Sequence, residues 1–96
     1  MSKPRIYADF NGIIRFEHEA WVVLDCRGTF DDLKKLELEL VEGLEAIFYD
    51  GDADDNGNPD DIEADGVVKF DPERFAWVAV INWDKIRHAS ERPQDL

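Results

Sequence analysis

Short apolar runs recur along the chain between turn residues, and this pattern predicts a domain built mainly from β-strands. Short runs rich in β-branched and aromatic residues, bounded by turn residues, are typical of strands. We expect strands at about residues 5–10, 13–17, 20–25, 44–49, 66–70 and 75–83.

Two turns join neighbouring strands in this prediction. The pair Asn11-Gly12 favours a type I′ turn, because both central residues of that turn need a positive φ. Residues 71–74 carry Pro72 at the second position of a turn and predict a second hairpin. The chain therefore begins and ends in antiparallel hairpins.

Helical signals are short and few. Thr29 followed by Asp32 resembles an N-cap with an acid at the third helical position, which predicts a short helix near residues 30–36. A second short helix is expected near 84–90, and residues 91–96 are expected to form a frayed tail.

Residues 37–49 fit two periodicities. Leucines at positions 33, 36, 40 and 44 can share one helical face, whereas residues 44–49 alternate with a period of two. Gly43 would interrupt the helix at a cost of about 1 kcal/mol relative to alanine. We therefore favour a strand over residues 44–49.

Together these elements predict a mainly β fold, α+β at most, in a single small domain over residues 1–96. Five to six short antiparallel strands would form a small barrel or a strongly curved sheet, similar to SH3-like barrels by analogy. With 96 residues, of which 44% are hydrophobic, the chain has enough apolar material for a core.

The apolar runs and the single cysteine of the sequence bear on the cellular location of the protein. No run of about 18 apolar residues is present, and the first ten residues lack the apolar stretch of a signal peptide. A lone cysteine, Cys26, cannot form an internal disulfide, in keeping with a reducing compartment. We therefore expect a cytoplasmic protein.

Charge is concentrated in one segment. The chain has 11 basic and 23 acidic residues, a net charge of −12, and eight of the acids lie in an acidic loop predicted over residues 50–66, which has no base. Such a field disfavours nucleic acid and anionic membranes as partners and favours cations and basic proteins. The candidate partner-binding residues are Asp50, Asp54, Asp55, Asp61 and Asp65.

The same segment contains a possible calcium site. Residues 52–63, DADDNGNPDDIE, resemble an EF-hand loop at every ligand position, with Gly57 at the sharp turn. Its context departs from the EF-hand, because Pro59 lacks an N–H and the following residues predict a strand where a helix is required. Asp, Asn, Gly and Pro are also the ordinary residues of a solvated loop. The candidate ligands are Asp52, Asp54, Asn56, Asn58, Asp60 and Glu63.

No zinc, phosphate-loop or nucleophile-elbow motif occurs, so no catalytic residue and no cofactor other than possible calcium is predicted. Three functions follow from these patterns. The leading one is a non-enzymatic interaction domain that docks a basic protein through the acidic loop, as a toxin-neutralising immunity protein or a nucleic-acid mimic would. The alternatives are a calcium-binding module and an enzyme whose site is dispersed along the chain.

Overall fold

The computed structural model describes residues 3–91, which form a single small α+β domain with a mixed, seven-stranded sheet. One α-helix, α1, spans Arg27–Leu36, and three 3₁₀ turns span Phe10–Gly12, Trp83–Lys85 and Ala89–Glu91. No helix in this part of the chain is both long and apolar enough to cross a membrane. The strands are β1 (Arg5–Tyr7), β2 (Ile14–Phe16), β3 (Glu19–Val23), β4 (Glu45–Asp50), β5 (Ile62–Asp71), β6 (Ala76–Asn82) and β7 (Arg87–His88).

The sheet is open, so the predicted barrel is wrong. Its strand order is β1-β4-β5-β6-β3-β2, and β7 pairs with β5 beyond the end of β6. The prediction of antiparallel strands holds for every pair except β1 and β4, which run parallel. Because β1 and β2 lie at opposite ends of this order, the two edges do not meet.

The predicted hairpin around Asn11-Gly12 is also wrong. Strand β1 pairs with β4, and β2 pairs with β3. Neither Asn11 nor Gly12 has the positive φ that a type I′ turn requires. Instead, the Asn11 N–H donates to the Asp9 carboxylate, and this side-chain cap stabilises a 3₁₀ turn that directs β2 away from β1.

Helix α1 ends at Leu36 as predicted but begins at Arg27, earlier than expected. The N-cap position belongs to Cys26, so the prediction of Thr29 as the cap is wrong. Thr29 is buried inside the helix and its hydroxyl donates to the carbonyl of Tyr7, while Asp32 accepts from the Tyr7 N–H. The helix thereby satisfies the outward-facing backbone groups of edge strand β1.

Three of the remaining predicted strands match the structure, and a fourth begins earlier than predicted. The strand expected at 44–49 is confirmed as β4, and those at 20–25 and 75–83 correspond to β3 and β6. The predicted second hairpin is confirmed, because β5 and β6 pair antiparallel across the turn at Pro72. Strand β5, however, begins at Ile62 rather than at Gly66.

The predicted C-terminal helix over 84–90 is wrong. Residues 83–85 and 89–91 form 3₁₀ turns, and between them Arg87 and His88 are extended and pair with β5. Strand β6 pairs with β5 only from Gly66 onward, and the first residues of β5 pair with β7 instead. The predicted tail lies outside the described residues except for Glu91.

One face of the sheet carries the hydrophobic core. Along β3 every second side chain is buried, and in β5 positions 64, 66 and 68 are buried between exposed neighbours at 65 and 67, as expected for strands with one face packed on the core. Leu33 of α1 reaches the same core. The buried cluster consists of Ile6, Ala8, Ala20, Val22, Leu24, Leu33, Ala46, Phe48, Ala64, Val68, Ala79 and Ile81.

Candidate interaction surface

The acidic loop is shorter in the structure than the loop predicted over residues 50–66. Strand β5 starts at Ile62, so the acidic loop comprises residues 51–61, and Glu63 and Asp65 are strand residues. Its boundaries matter because strand residues present their side chains in a fixed register, unlike loop residues.

The loop is held in shape by its own hydrogen bonds. Both Asn56 N–H and Asn58 N–H donate to one carboxylate oxygen of Asp54, at 2.9 Å each. The Asp54 N–H donates to the Asn58 carbonyl at 2.9 Å, and Gly57 has a φ of +81° at the tip. The sharp turn predicted at Gly57 is therefore confirmed, and Asp54 supports the loop from within.

The base of the loop is tied to the C-terminal segment. The imidazole of His88 lies 2.8 Å from the carboxylate of Asp52, and Asp60 accepts from the hydroxyl and the N–H of Ser90. The Ala89 N–H donates to the Asp61 carbonyl at 2.7 Å. Hydrogen bonds from Ser90 lower the pKa of Asp60, so its carboxylate is ionised at neutral pH.

Glu63 lies at the centre of an ion-pair network on the other face of the sheet. Its side chain is fully buried, with Arg87 at 2.8 Å and Arg5 at 3.3 Å. Two further acids extend the network, the half-buried Asp61 at 3.5 Å from Arg5 and the exposed Asp65 at 3.3 Å from Arg87. Bases from both ends of the chain thus neutralise part of the acidic segment.

Most of the candidate calcium ligands have partners within the protein. Asp52 contacts His88, Asp60 accepts from Ser90, and Glu63 pairs with Arg87. The Asn58 carbonyl accepts from the Asp54 N–H. Within residues 3–91, no group of three or more His, Cys, Asp or Glu side chains is arranged to hold a metal ion. The calcium site stays a prediction from spacing, to which this conformation adds no common centre.

The candidate partner-binding acids divide by their surroundings. Asp54 accepts hydrogen bonds from the loop backbone, the half-buried Asp61 and the exposed Asp65 pair with arginines, and Asp55 is exposed beside the loop tip. Asp50 differs, because its oxygens accept from the N–H groups of Phe10 at 3.0 Å and Gly51 at 2.8 Å. A hydrogen bond to Asp50 is also the main cause that raises the pKa of Tyr7 to about 12.

An apolar groove opens beside the base of the acidic loop. It has a volume of about 550 Å³ and lies between the first 3₁₀ turn, the start of the loop and the second 3₁₀ turn. Asp50 and Asp52 contribute carboxylates to its wall. Its apolar lining is formed by Phe10, Ile13, Ile62, Trp83 and Ile86.

Sequence patterns did not indicate several residues that shape this surface. Arg5 and Arg87 lie 58 and 24 positions from Glu63, and no local period relates them to it. Phe10 and Trp83 were assigned to strands, although both lie in 3₁₀ turns at the groove. One signal was present: Glu63 lies in the run Ile62 to Ala64, where an acid between apolar residues favours a strand position over a loop.

Fold and surface together define a small α+β domain with an acidic loop beside an apolar groove. No known protein-family model, no curated protein and no solved structure matches this chain.

The contact between His88 and the acidic loop is expected to depend on pH. The two ring nitrogens of His88 face Asp52 at 2.8 Å and Glu91 at 3.2 Å, and only the protonated ring donates to both carboxylates. The hydrogen bond to Asp52, followed by that to Glu91, raises the pKa of His88 above its ordinary value of 6.5. The pKa of Asp52 is lowered, chiefly by the Ala53 N–H and then by His88.

The sign of the effect follows from these two directions. A raised histidine pKa gives stability that is fully present below about pH 6.5 and is lost as pH rises through the raised value. The carboxylate contribution is lost in acid, as pH falls towards the lowered pKa of Asp52. We therefore expect the Ala89 amide to be best protected from hydrogen exchange between about pH 4.5 and 6.5, after correction for the intrinsic exchange rate.

An NMR titration of the His88 ring with parallel hydrogen exchange tests this expectation. The variant His88→Gln keeps a hydrogen-bonding side chain without a titrating charge, so its Ala89 protection should be independent of pH above pH 5. Equal pH dependence in the variant and the original protein would contradict a role for His88.

Proposed function

We propose that this protein is a non-enzymatic interaction domain that docks a basic protein partner through the acidic loop. The observation that supports the proposal is the pre-formed, exposed shape of the loop, which Asp54 holds by accepting two backbone N–H groups. A surface that is ordered before binding loses little conformational entropy on binding. Its carboxylates present negative charge that speeds the approach of a basic surface.

Basic residues of the fold offset part of the acidic charge, and this restricts where a basic partner would dock. Arg5, Arg87 and His88 contact the base of the loop and the adjoining strand residues, so their charges offset the acids there. Asp54 and Asp55 at the tip are the acids farthest from these bases along the loop. The tip of the loop is therefore where the partner would make contact.

A charge-matched pair of triple variants tests the proposal. The loop variant changes Asp55 and Asp61 of the loop and Asp65 of the adjoining strand β5 to asparagine, which leaves the loop-supporting Asp54 intact. The control variant changes Asp31 to asparagine and Glu39 and Glu45 to glutamine, exposed acids elsewhere that give the same change in net charge. Both variants are checked for unchanged folding by circular dichroism before use.

We expect basic proteins to be recovered from a cell extract by the original protein and by the control variant, and to be lost with the loop variant. For a recovered partner, the association rate constant should fall by roughly tenfold or more between low and high salt. Recovery of neutral or acidic partners that are insensitive to salt and to the loop changes would contradict the proposal.

A further inference from the structure

The apolar groove adjoins the acidic loop at Asp52, so the two features form one continuous surface. Four groove residues, Phe10, Ile13, Trp83 and Ile86, also pack against the hydrophobic core, which fixes them from below. A volume of about 550 Å³ lies within the range of pockets that enclose a small ligand or a few side chains. The groove therefore has both a rigid apolar floor and an entrance shared with the loop.

The carboxylate of Asp50 is positioned before anything binds. Backbone N–H groups of Phe10 and Gly51 each donate to one of its oxygens, and the Tyr7 hydroxyl donates to the same carboxylate, which leaves room for one further donor. Within residues 3–91 the ion pairs of the acidic segment involve Asp52, Asp61, Glu63 and Asp65, whereas none involves Asp50. Asp50 is thus a fixed negative charge at the wall of an apolar groove.

This combination selects the chemistry of an occupant. A purely apolar group would remove water from Asp50 and Asp52 without replacing their hydrogen bonds, which is costly. An anion would be repelled by both carboxylates. A group with an apolar body and a cationic head can pack against the apolar lining and pair with Asp50 at the same time.

We propose that the groove binds a basic amphipathic segment of the partner protein. An Arg or Lys side chain of that segment reaches Asp50, beside the pair formed by Asp52 and His88, and a neighbouring apolar side chain packs against Trp83 and Ile86. A protein segment is favoured over a small amine because the negative surface continues from Asp52 onto the acidic loop, beyond the reach of a small molecule. The inference rests on the proposed function and adds the place and the chemistry of contact.

Three soluble probes separate the parts of this inference by NMR. The first is a short peptide in which arginines alternate with leucine and phenylalanine. The second has the same arginines but serine in place of the apolar residues, and the third is phenethylamine. Backbone amide shifts of Phe10 and Gly51 and the indole N–H of Trp83 report on the groove, and the amides of Asp55 and Asn56 report on the loop.

We expect the arginine-leucine-phenylalanine peptide to shift the groove signals and to bind about tenfold more tightly than the serine peptide, because one apolar side chain becomes buried. Phenethylamine should bind more weakly than that peptide. If it binds as tightly, the groove is a small-amine site and the commitment to a protein segment is overturned. Absence of binding by all three probes overturns the inference as a whole.

A variant at the mouth of the groove provides the matched test. Asn11 is exposed and lines the groove, so Asn11→Arg places a cation there without disturbing the core, whereas Asn11→Gln changes only side-chain length. We expect Asn11→Arg to weaken binding of the first peptide by about tenfold and Asn11→Gln to leave it unchanged.

The failure of this inference can be told apart from failure of the proposed function. If both arginine peptides bind equally, shift only the loop signals and ignore Asn11→Arg, the groove is excluded and loop docking stands. If Asn11→Arg weakens binding while the triple loop variant does not, the groove binds the segment and docking through the acidic loop is overturned.

Discussion

The variant Glu63→Gln is expected to destabilise the fold by about 3 kcal/mol, the lower end of the range for breaking one partner out of a buried ion pair. Glutamine keeps the shape of the side chain but removes the negative charge between Arg5 and Arg87. Two guanidinium groups would then face each other without their buried counter-charge. The loss is at the low end because Asp61 and Asp65 still lie 3.5 and 3.3 Å from these arginines.

Chemical denaturation measures this loss as a lower midpoint at an unchanged slope. Asp65→Asn is the matched control, since it removes an exposed acid from the same strand and from the same arginine, Arg87, at an expected cost below about 1 kcal/mol. The double variant Glu63→Gln with Arg87→Met should lose less than the sum of the two single variants. Equal losses for Glu63→Gln and Asp65→Asn would contradict a special role for the buried carboxylate.

The variant Gly66→Ala is expected to cost about 1–3 kcal/mol because the centre of the sheet has no room for a methyl group. A Cβ atom at this position would lie 2.7 Å from Cγ2 of Ile81, 2.9 Å from the Phe48 ring and 2.9 Å from the Val80 carbonyl oxygen. The backbone carbonyl cannot move aside without disturbing the pairing of β5 with β6. This clash outweighs the usual gain of replacing glycine by alanine, which comes from the unfolded chain.

Gly51→Ala is the control for that experiment. It also lacks a positive φ, and a Cβ atom there meets nothing within 4 Å, so we expect a change within about 0.5 kcal/mol. Thermal unfolding of both variants gives the comparison. A loss at Gly51 as large as the loss at Gly66 would show that the contact with Phe48 and Ile81 does not set the cost.

These two positions also show where sequence patterns misplace a boundary. Gly66 follows a run of acids, and glycine is a common turn residue, so the end of the acidic loop was predicted there. In the structure Gly66 is internal to β5, where the absence of a side chain lets Phe48 and Ile81 approach the backbone. The same shift of boundary converts Glu63 from an exposed loop acid into the buried centre of an ion-pair network.

The candidate site was predictable only in its charge. The acidic segment, its exposure at Asp55 and the turn at Gly57 follow from residue types that act over a few positions. The groove was not predictable, because Phe10 and Trp83 meet Asp50 only after β1, β4 and β6 have paired. The sequence also did not indicate which bases pair with the acids, since Arg5 and Arg87 are distant from Glu63 along the chain.

By itself, the sequence determined the strand segments β3, β4 and β6, the end of α1 at Leu36, the second hairpin and the concentration of acid beside it. Only the tertiary structure decided that β1 lies parallel to β4, that β7 pairs with β5, and that the sheet stays open. The physical reason is one of range. Alternation, capping and turn preference depend on neighbours a few residues away, whereas strand order and buried ion pairs depend on which distant segments bury each other's apolar and charged groups.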